Sequence, residues 1–139
     1  MAQTWNTDLL YDLGLAMGQE YADVNNYGVY GPAMNTHRSA FAGRNFEYYS
    51  EDGVLAGKLA AAQVSAMATK GTYSYIKHFA LNDQETNRCA FLLTYSNEQA
   101  IREIYLKPFE LCIKNFDGTQ IAVMSVSYTH LRAHETDQY

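Results

Sequence analysis

The sequence predicts an α/β fold built on a parallel sheet, and three observations carry that prediction. The chain of 139 residues reads helix, strand, helix, strand, helix, strand from one end to the other. No two-residue hairpin turn joins any pair of strands, so each strand must be reached through a crossover helix. The long polar stretches follow strands rather than precede them. A doubly wound sheet and a βα barrel both satisfy the first two observations. The third favours the barrel, whose ligand-facing loops leave the C-terminal ends of its strands.

Each element has a local cause. Asn6 or Thr7 can cap a first helix whose apolar positions Leu9, Leu10, Leu13, Leu15, Ala16 and Tyr21 recur at helical spacing, to about Asp23. The turn NNYG leads into a short strand over 29–34, punctuated by Gly31 and Pro32. The polar loop 35–52 is too long to be a mere connection, so it is read as functional. The Ala-rich stretch 54–69 has strong helical propensity, and Gly71 stands where a C-terminal cap belongs. Alternation with aromatic and β-branched residues marks 72–79 as the second strand, followed by a second polar loop to about Tyr95. Ser96 and Gln99 form a capping box for a third helix to about Asn115, which Pro108 should kink or restart. Asp117-Gly118 is a turn, and 121–124 is the third strand.

Composition excludes some classes of function. The formal charge is −5 and no basic run exists to track a phosphate backbone, which argues against a nucleic-acid partner. No stretch is apolar for long enough to span a bilayer. The first ten residues lack a charged segment followed by an apolar core, and compartment stays open. Cys89 and Cys112 stand in no metal-ligand spacing and are expected to be two buried free thiols. The 12 tyrosines suit a sugar site, where a ring face packs on C–H groups, but a Tyr-rich core accounts for them more simply.

Two stretches concentrate the chemistry: GRNFEYYSED over 43–52 and KHFALNDQETNR over 77–88. Each follows a predicted strand and packs cations, carboxylates and amides into about ten residues. The Arg44 guanidinium offers a rigid fork of donors that suits vicinal hydroxyls or a carboxylate. Glu47, three residues on, reads equally well as its structural ion-pair partner. Lys77 and His78 are adjacent at a strand end, yet neighbours in a regular strand point to opposite faces. For both to reach one ligand the backbone must depart from regular geometry, for example through a non-proline cis peptide near His78. Asp83 and Glu85, paired carboxylates two residues apart with amides between them, invite an acid/base reading, but orienting Arg88 and the loop backbone is the better one.

The run GPAMNTHRSAFAGRNFEYYSED followed by KHFALNDQETNR resembles the N-terminal domain of glycoside hydrolase family 3, over 5–125. The resemblance implies a TIM barrel of which this chain holds about three consecutive βα units, since a full barrel takes ~250 residues. It implies a retaining, exo-acting β-glycosidase, β-glucosidase-like, acting on O-glycosidic bonds of a β-linked oligosaccharide or glycoside, with no cofactor and no metal. Arg44, Lys77, His78, Arg88 and Met124 would hold the terminal sugar, with Glu47 and Glu85 supporting the cations. The family's nucleophilic Asp follows a later strand and its acid/base Glu comes from a further domain. No catalytic residue is therefore expected in this chain, which should be inactive without the rest of the barrel and the C-terminal domain. The alternative is a catalytically silent, sugar-binding or structural remnant of the barrel.

The last residues read differently. His130, His134 and Glu135 have helical metal-ligand spacing, but VSYTHLRAHET resembles a translated adapter of transposase-based sequencing libraries. The expected division is a native partial barrel domain over 1–125 and a non-native tail over 126–139.

Overall fold

The structure, a computed structural model, describes residues 1–90 and 92–126. Apart from Val126, the segment 126–139 that was read as a tail lies outside the described residues, and so do His130, His134 and Glu135. Helix α1 (Thr7–Asp23) leads to strand β1 (Gly28–Val29), then α2 (Gly53–Thr69) and β2 (Tyr73–Phe79). A short helix α3 (Glu98–Ala100) and a π-helical turn (Ile101–Tyr105) precede α4 (Lys107–Asn115), and β3 (Ile121–Ser125) closes the sequence of elements. The three strands are parallel and lie side by side in chain order, β1-β2-β3. Helix α2 packs against α1 on one side and α4 on the other. Strand order that never reverses, with successive helices in contact, is the winding of a barrel arc. A doubly wound sheet would reverse its order.

The helix ends explain the boundaries. Asn6 Oδ1 accepts from the backbone of Asp8 (2.9 Å) and Leu9 (3.1 Å), while Asp52 Oδ1 accepts from Val54 (2.8 Å) and Leu55 (3.4 Å). Each cap satisfies N–H groups that a first helical turn leaves unpaired. Gly71, at φ +78, ends α2, with Gly71 N–H on Ala68 O and Thr72 N–H on Met67 O. Those two bonds make a Schellman cap, which favours glycine at this position.

Three sequence expectations need correction. The third helix is capped by Asn97, whose side chain accepts from Ala100 N–H, and not by Ser96. The first strand is shorter than 29–34, because Pro32 has no N–H to give the ladder. Pairing resumes only as an isolated bridge between Ala33 and Lys77. Of the two cysteines, Cys112 is buried but Cys89 is exposed. Pro108 restarts the third helix, lying in the first turn of α4 after the π-helical stretch.

The core sits between sheet and helices. Met34, Ala60, Ala61, Val64, Ile76, Phe109 and Cys112 form one buried cluster, with Tyr49, Phe116 and Ile121 against it. Along β2, Ser74, Ile76 and His78 are buried while Tyr73, Tyr75 and Lys77 are half-buried. Strand alternation thus gives one face to the helices and the other to the inside of the arc. On that inner face the rings of Tyr30 and Tyr73 lie 5.2 and 5.3 Å from Tyr75. Among the described residues, no helix is long and apolar enough to cross a membrane.

Candidate functional site

At the C-terminal end of β2 the two sequence motifs meet. The first loop carries a 3-10 turn, Asn45–Glu47, and the second leaves β2 directly after Phe79. They touch at Gly43, which has φ +90; a Cβ there would stand 3.0 Å from both Cβ and Cγ of Glu85. Glycine is therefore required twice over, by conformation and by space.

The contact brings five charged side chains together. Glu47 Oε1 accepts a short hydrogen bond from Arg44 Nε, and its Oε2 lies 3.0 Å from Lys77 Nζ. Glu85 Oε2 pairs with Arg88 Nη1 at 2.9 Å, and its Oε1 lies 3.8 Å from Arg44 Nη1. Two carboxylates thus bridge three cations in the order Lys77, Glu47, Arg44, Glu85, Arg88. Burial works against ionisation of Glu47, but hydrogen bonds from Arg44 and Lys77 and the attraction of their charges prevail, and its carboxyl is held below the usual carboxylate range. Both carboxylates are occupied from their own loops, which leaves the cations oriented rather than free to wander.

His78 has a different environment. It is 5% exposed, and burial, reinforced by the charges of Arg44 and Lys77, pushes its imidazole down from the ordinary 6.5 to about 4. It is neutral at pH 7. Its Nδ1 lies 3.5 Å from the hydroxyl of Tyr48, which donates to Asn82 O (3.2 Å) and accepts from Asn82 Nδ2 (3.1 Å). Asn82 Nδ2 also reaches Glu85 Oε1 at 3.2 Å, joining this buried chain to the charged one. The Lys77–His78 and Phe79–Ala80 peptides are cis, and the pairing of β2 with β3 shifts register between Lys77 and Phe79.

Of the residues singled out from the sequence, Arg44, Glu47, Lys77, Glu85 and Arg88 form one ion-paired cluster, with His78 behind it. Met124 is the register partner of Lys77 on β3, so both stand on the same side of the sheet. Asp83 is part-buried with Oδ1 unpartnered, and burial raises its carboxyl to about 6 against the opposing charge of Arg38. Sequence reasoning gave no role to Asn35, Tyr48 or Asn82, all buried at this site. Asn35 lies inside the quoted motif, but nothing distinguishes a buried amide there from a turn residue. Tyr48 and Tyr49 are adjacent and identical, yet one faces His78 while the other bonds Gln63 of α2. Among the described residues no group of three His, Cys, Asp or Glu side chains is placed to hold a metal. A cleft of about 340 Å³ opens beside Lys77 and Glu47 and runs under α1 past Leu10, Leu13 and Met17, an apolar lining that belongs to packing.

Donors and bridged carboxylates thus gather at the C-terminal end of a parallel strand in an α/β barrel arc. Its sequence matches the profile described as "Glycosyl hydrolase family 3 N terminal domain" over residues 1–137, and the chain belongs to that family. It is similar to beta-glucosidase A of Butyrivibrio fibrisolvens, 49% identical over 114 residues, which are 82% of this chain and 14% of that protein. A beta-glucosidase of Ruminococcus albus is 43% identical over 114 residues, 82% of this chain and 12% of its own. Among solved structures, beta-glucosidase 3B from Thermotoga neapolitana in complex with glycerol superposes with TM-score 0.86 at 42% identity, covering 95% of this chain and 18% of that one. Its complex with glucose gives TM-score 0.82 at 42% identity, over 90% of this chain and 18% of that chain. The α/β barrel architecture is thereby shared with glycoside hydrolases, and the chain spans about a seventh of the length of the curated relatives it matches.

Proposed function

We propose that the whole protein is a retaining, exo-acting β-glycosidase, β-glucosidase-like, and that this chain supplies one wall of the pocket for its terminal sugar. The observation that carries the reading is the ladder of three cations on two carboxylates at the C-terminal end of β2. Sugar hydroxyls are neutral groups that both donate and accept. Lys77, Arg44 and Arg88 supply donors, the carboxylates between them supply acceptors, and neutral His78 can serve in either sense. Met124, beside Lys77, offers an apolar contact for the sugar's C–H face. Charge-assisted hydrogen bonds to the hydroxyls strengthen as positive charge develops on the ring, so such residues would stabilise the transition state as well as the ground state.

Cleavage of the bond itself requires a nucleophilic carboxylate and a proton donor, which on this reading come from other segments of the whole protein. The native part is read as 1–125 and the tail 126–139 as adapter-derived. The deciding experiment uses the full-length product of the gene, obtained from source DNA resequenced without that adapter. Arg44→Ala and Lys77→Ala should each lower kcat/KM on an aryl β-glucoside by roughly a hundredfold or more, as loss of transition-state binding requires. Unchanged kcat/KM in both would overturn the site. Glucose binding without turnover in the unsubstituted protein would mark a catalytically silent sugar-binding remnant instead.

A further inference from the structure

The sheet ladder breaks at His78. Residue Lys77 pairs with Met124 and residue Phe79 with Ser125, so the register slips and His78 is the extra residue of the bulge. On the other edge, Lys77 N–H donates to Pro32 O at 3.1 Å and Met34 N–H donates to Lys77 O at 2.8 Å. Backbone pairing stops there too. A bulged residue has no ladder partner, and in a buried position its N–H and C=O need another.

Asn35 provides both. Its Oδ1 accepts from His78 N–H at 2.7 Å and its Nδ2 donates to His78 O at 2.9 Å, with Asn35 itself 3% exposed. A carboxamide carries one acceptor and a donor in one plane, as a peptide group does, so the side chain continues the ladder where the main chain cannot. No other side chain of that length does this. An ionised aspartate has no donor, serine cannot reach both groups at once, and leucine offers neither.

We propose that Asn35 is a positioning residue for the ligand pocket: by gripping both backbone groups of His78 it fixes the directions in which the Lys77 ammonium and the His78 imidazole face the ligand. This rests on the reading of the site given above. The two side chains lie on either side of one peptide, and the clamp holds the residue that follows it. Loosening the clamp lets the peptide that carries both heads move, so both are displaced relative to Glu47, which stays in place on a different loop.

A double-mutant cycle in the full-length gene product separates positioning from general support. The variants are Asn35→Ala, Lys77→Ala and the pair, with kcat/KM on an aryl β-glucoside measured per folded molecule. The expected result is a loss of roughly thirtyfold for Asn35→Ala in the native background and a clearly smaller loss, of roughly fivefold through His78 alone, in the Lys77→Ala background, since coupled residues are not additive. An equal fold-loss in both backgrounds overturns the proposal while leaving the sugar site intact. Lys77→Ala with unchanged kcat/KM sinks the sugar-site reading and the proposal together. If Asn35→Ala does not fold, the isosteric Asn35→Asp takes its place in the same cycle. Collapse of that variant as well would show Asn35 serving the fold rather than the pocket, and would also overturn the proposal.

Discussion

Replacing Glu47 by glutamine in the full-length protein probes the middle of the charged ladder. The carboxylate takes a hydrogen bond from Arg44 on one oxygen and pairs with Lys77 at 3.0 Å on the other, with all three side chains roughly four-fifths buried. Glutamine keeps the shape and one acceptor oxygen but turns an N–H₂ towards the second cation. One of the two bonds is therefore lost, and a hydrogen bond to a charged group contributes about 1.5–3 kcal/mol. The bond that survives changes from charge-assisted to one-sided, losing about half its strength, or about 1 kcal/mol. Together the cations lose about 3 kcal/mol of orientation. At 1.36 kcal/mol per factor of ten, kcat/KM should fall by roughly a hundredfold if that orientation is felt in the transition state. The assay is chromophore release from an aryl β-glucoside at pH 7, with the inhibition constant of glucose measured alongside. A change within about twofold in both quantities would refute the claim that Glu47 sets the cations for the ligand, whatever the variant's thermal stability.

Two further predictions concern the frame and the histidine. Gly14 faces α2 so closely that a Cβ would stand 2.4 Å from Gln63 O and 2.8 Å from Ala66 Cβ. Gly14→Ala must push the helices apart by roughly 1 Å; overpacking of that kind costs about 1–3 kcal/mol against a gain of about 1 kcal/mol in helix propensity. A lowered melting temperature is expected, and one that stays equal or rises would contradict the close crossing. The imidazole of His78 should titrate with a midpoint of about 4, followed through its Hε1 proton by NMR. Because that lies below its unfolded value of 6.5, the unfolded chain takes up the proton first. The contribution of His78 to stability is then complete above pH 6.5 and is lost as pH falls towards 4. A midpoint near 6.5 would mean that the ring is open to solvent.

How far the sequence could be read depended on whether a residue's role was local. The cap at Asn6 and the glycine at 71 act within a few residues of themselves, so spacing alone located them; the cap at Asp52 was hidden in a loop already rich in polar residues. The ion pairs of Glu47 with Arg44 and of Glu85 with Arg88 span three residues and were legible for the same reason. Asn35 acts on a residue 43 positions away, and Tyr48 on one 34 away, through contacts that only the folded sheet creates. The choice of Asn97 over Ser96 as a cap is a shift of one residue between two equally suitable side chains. The first strand was overextended because its apolar pattern continues through Pro32, while its hydrogen bonding does not.

Helix α2 also bears on how such a domain can be taken apart and recombined. It buries Ala56, Leu59, Ala60, Ala61, Gln63, Val64 and Met67, and its Gly57 leaves no room for a Cβ against Pro108 and Leu111 of α4. Small residues let it lie against both neighbouring helices at once. A chimera joined within α2 would therefore mismatch two interfaces simultaneously, whereas one joined at 117–120, in the turn before β3, leaves α1, α2 and α4 from a single parent. Shuffling of related barrels should accordingly succeed at that second junction and fail at the first, which makes the three-helix layer, rather than the single βα unit, the smallest exchangeable piece of this wall.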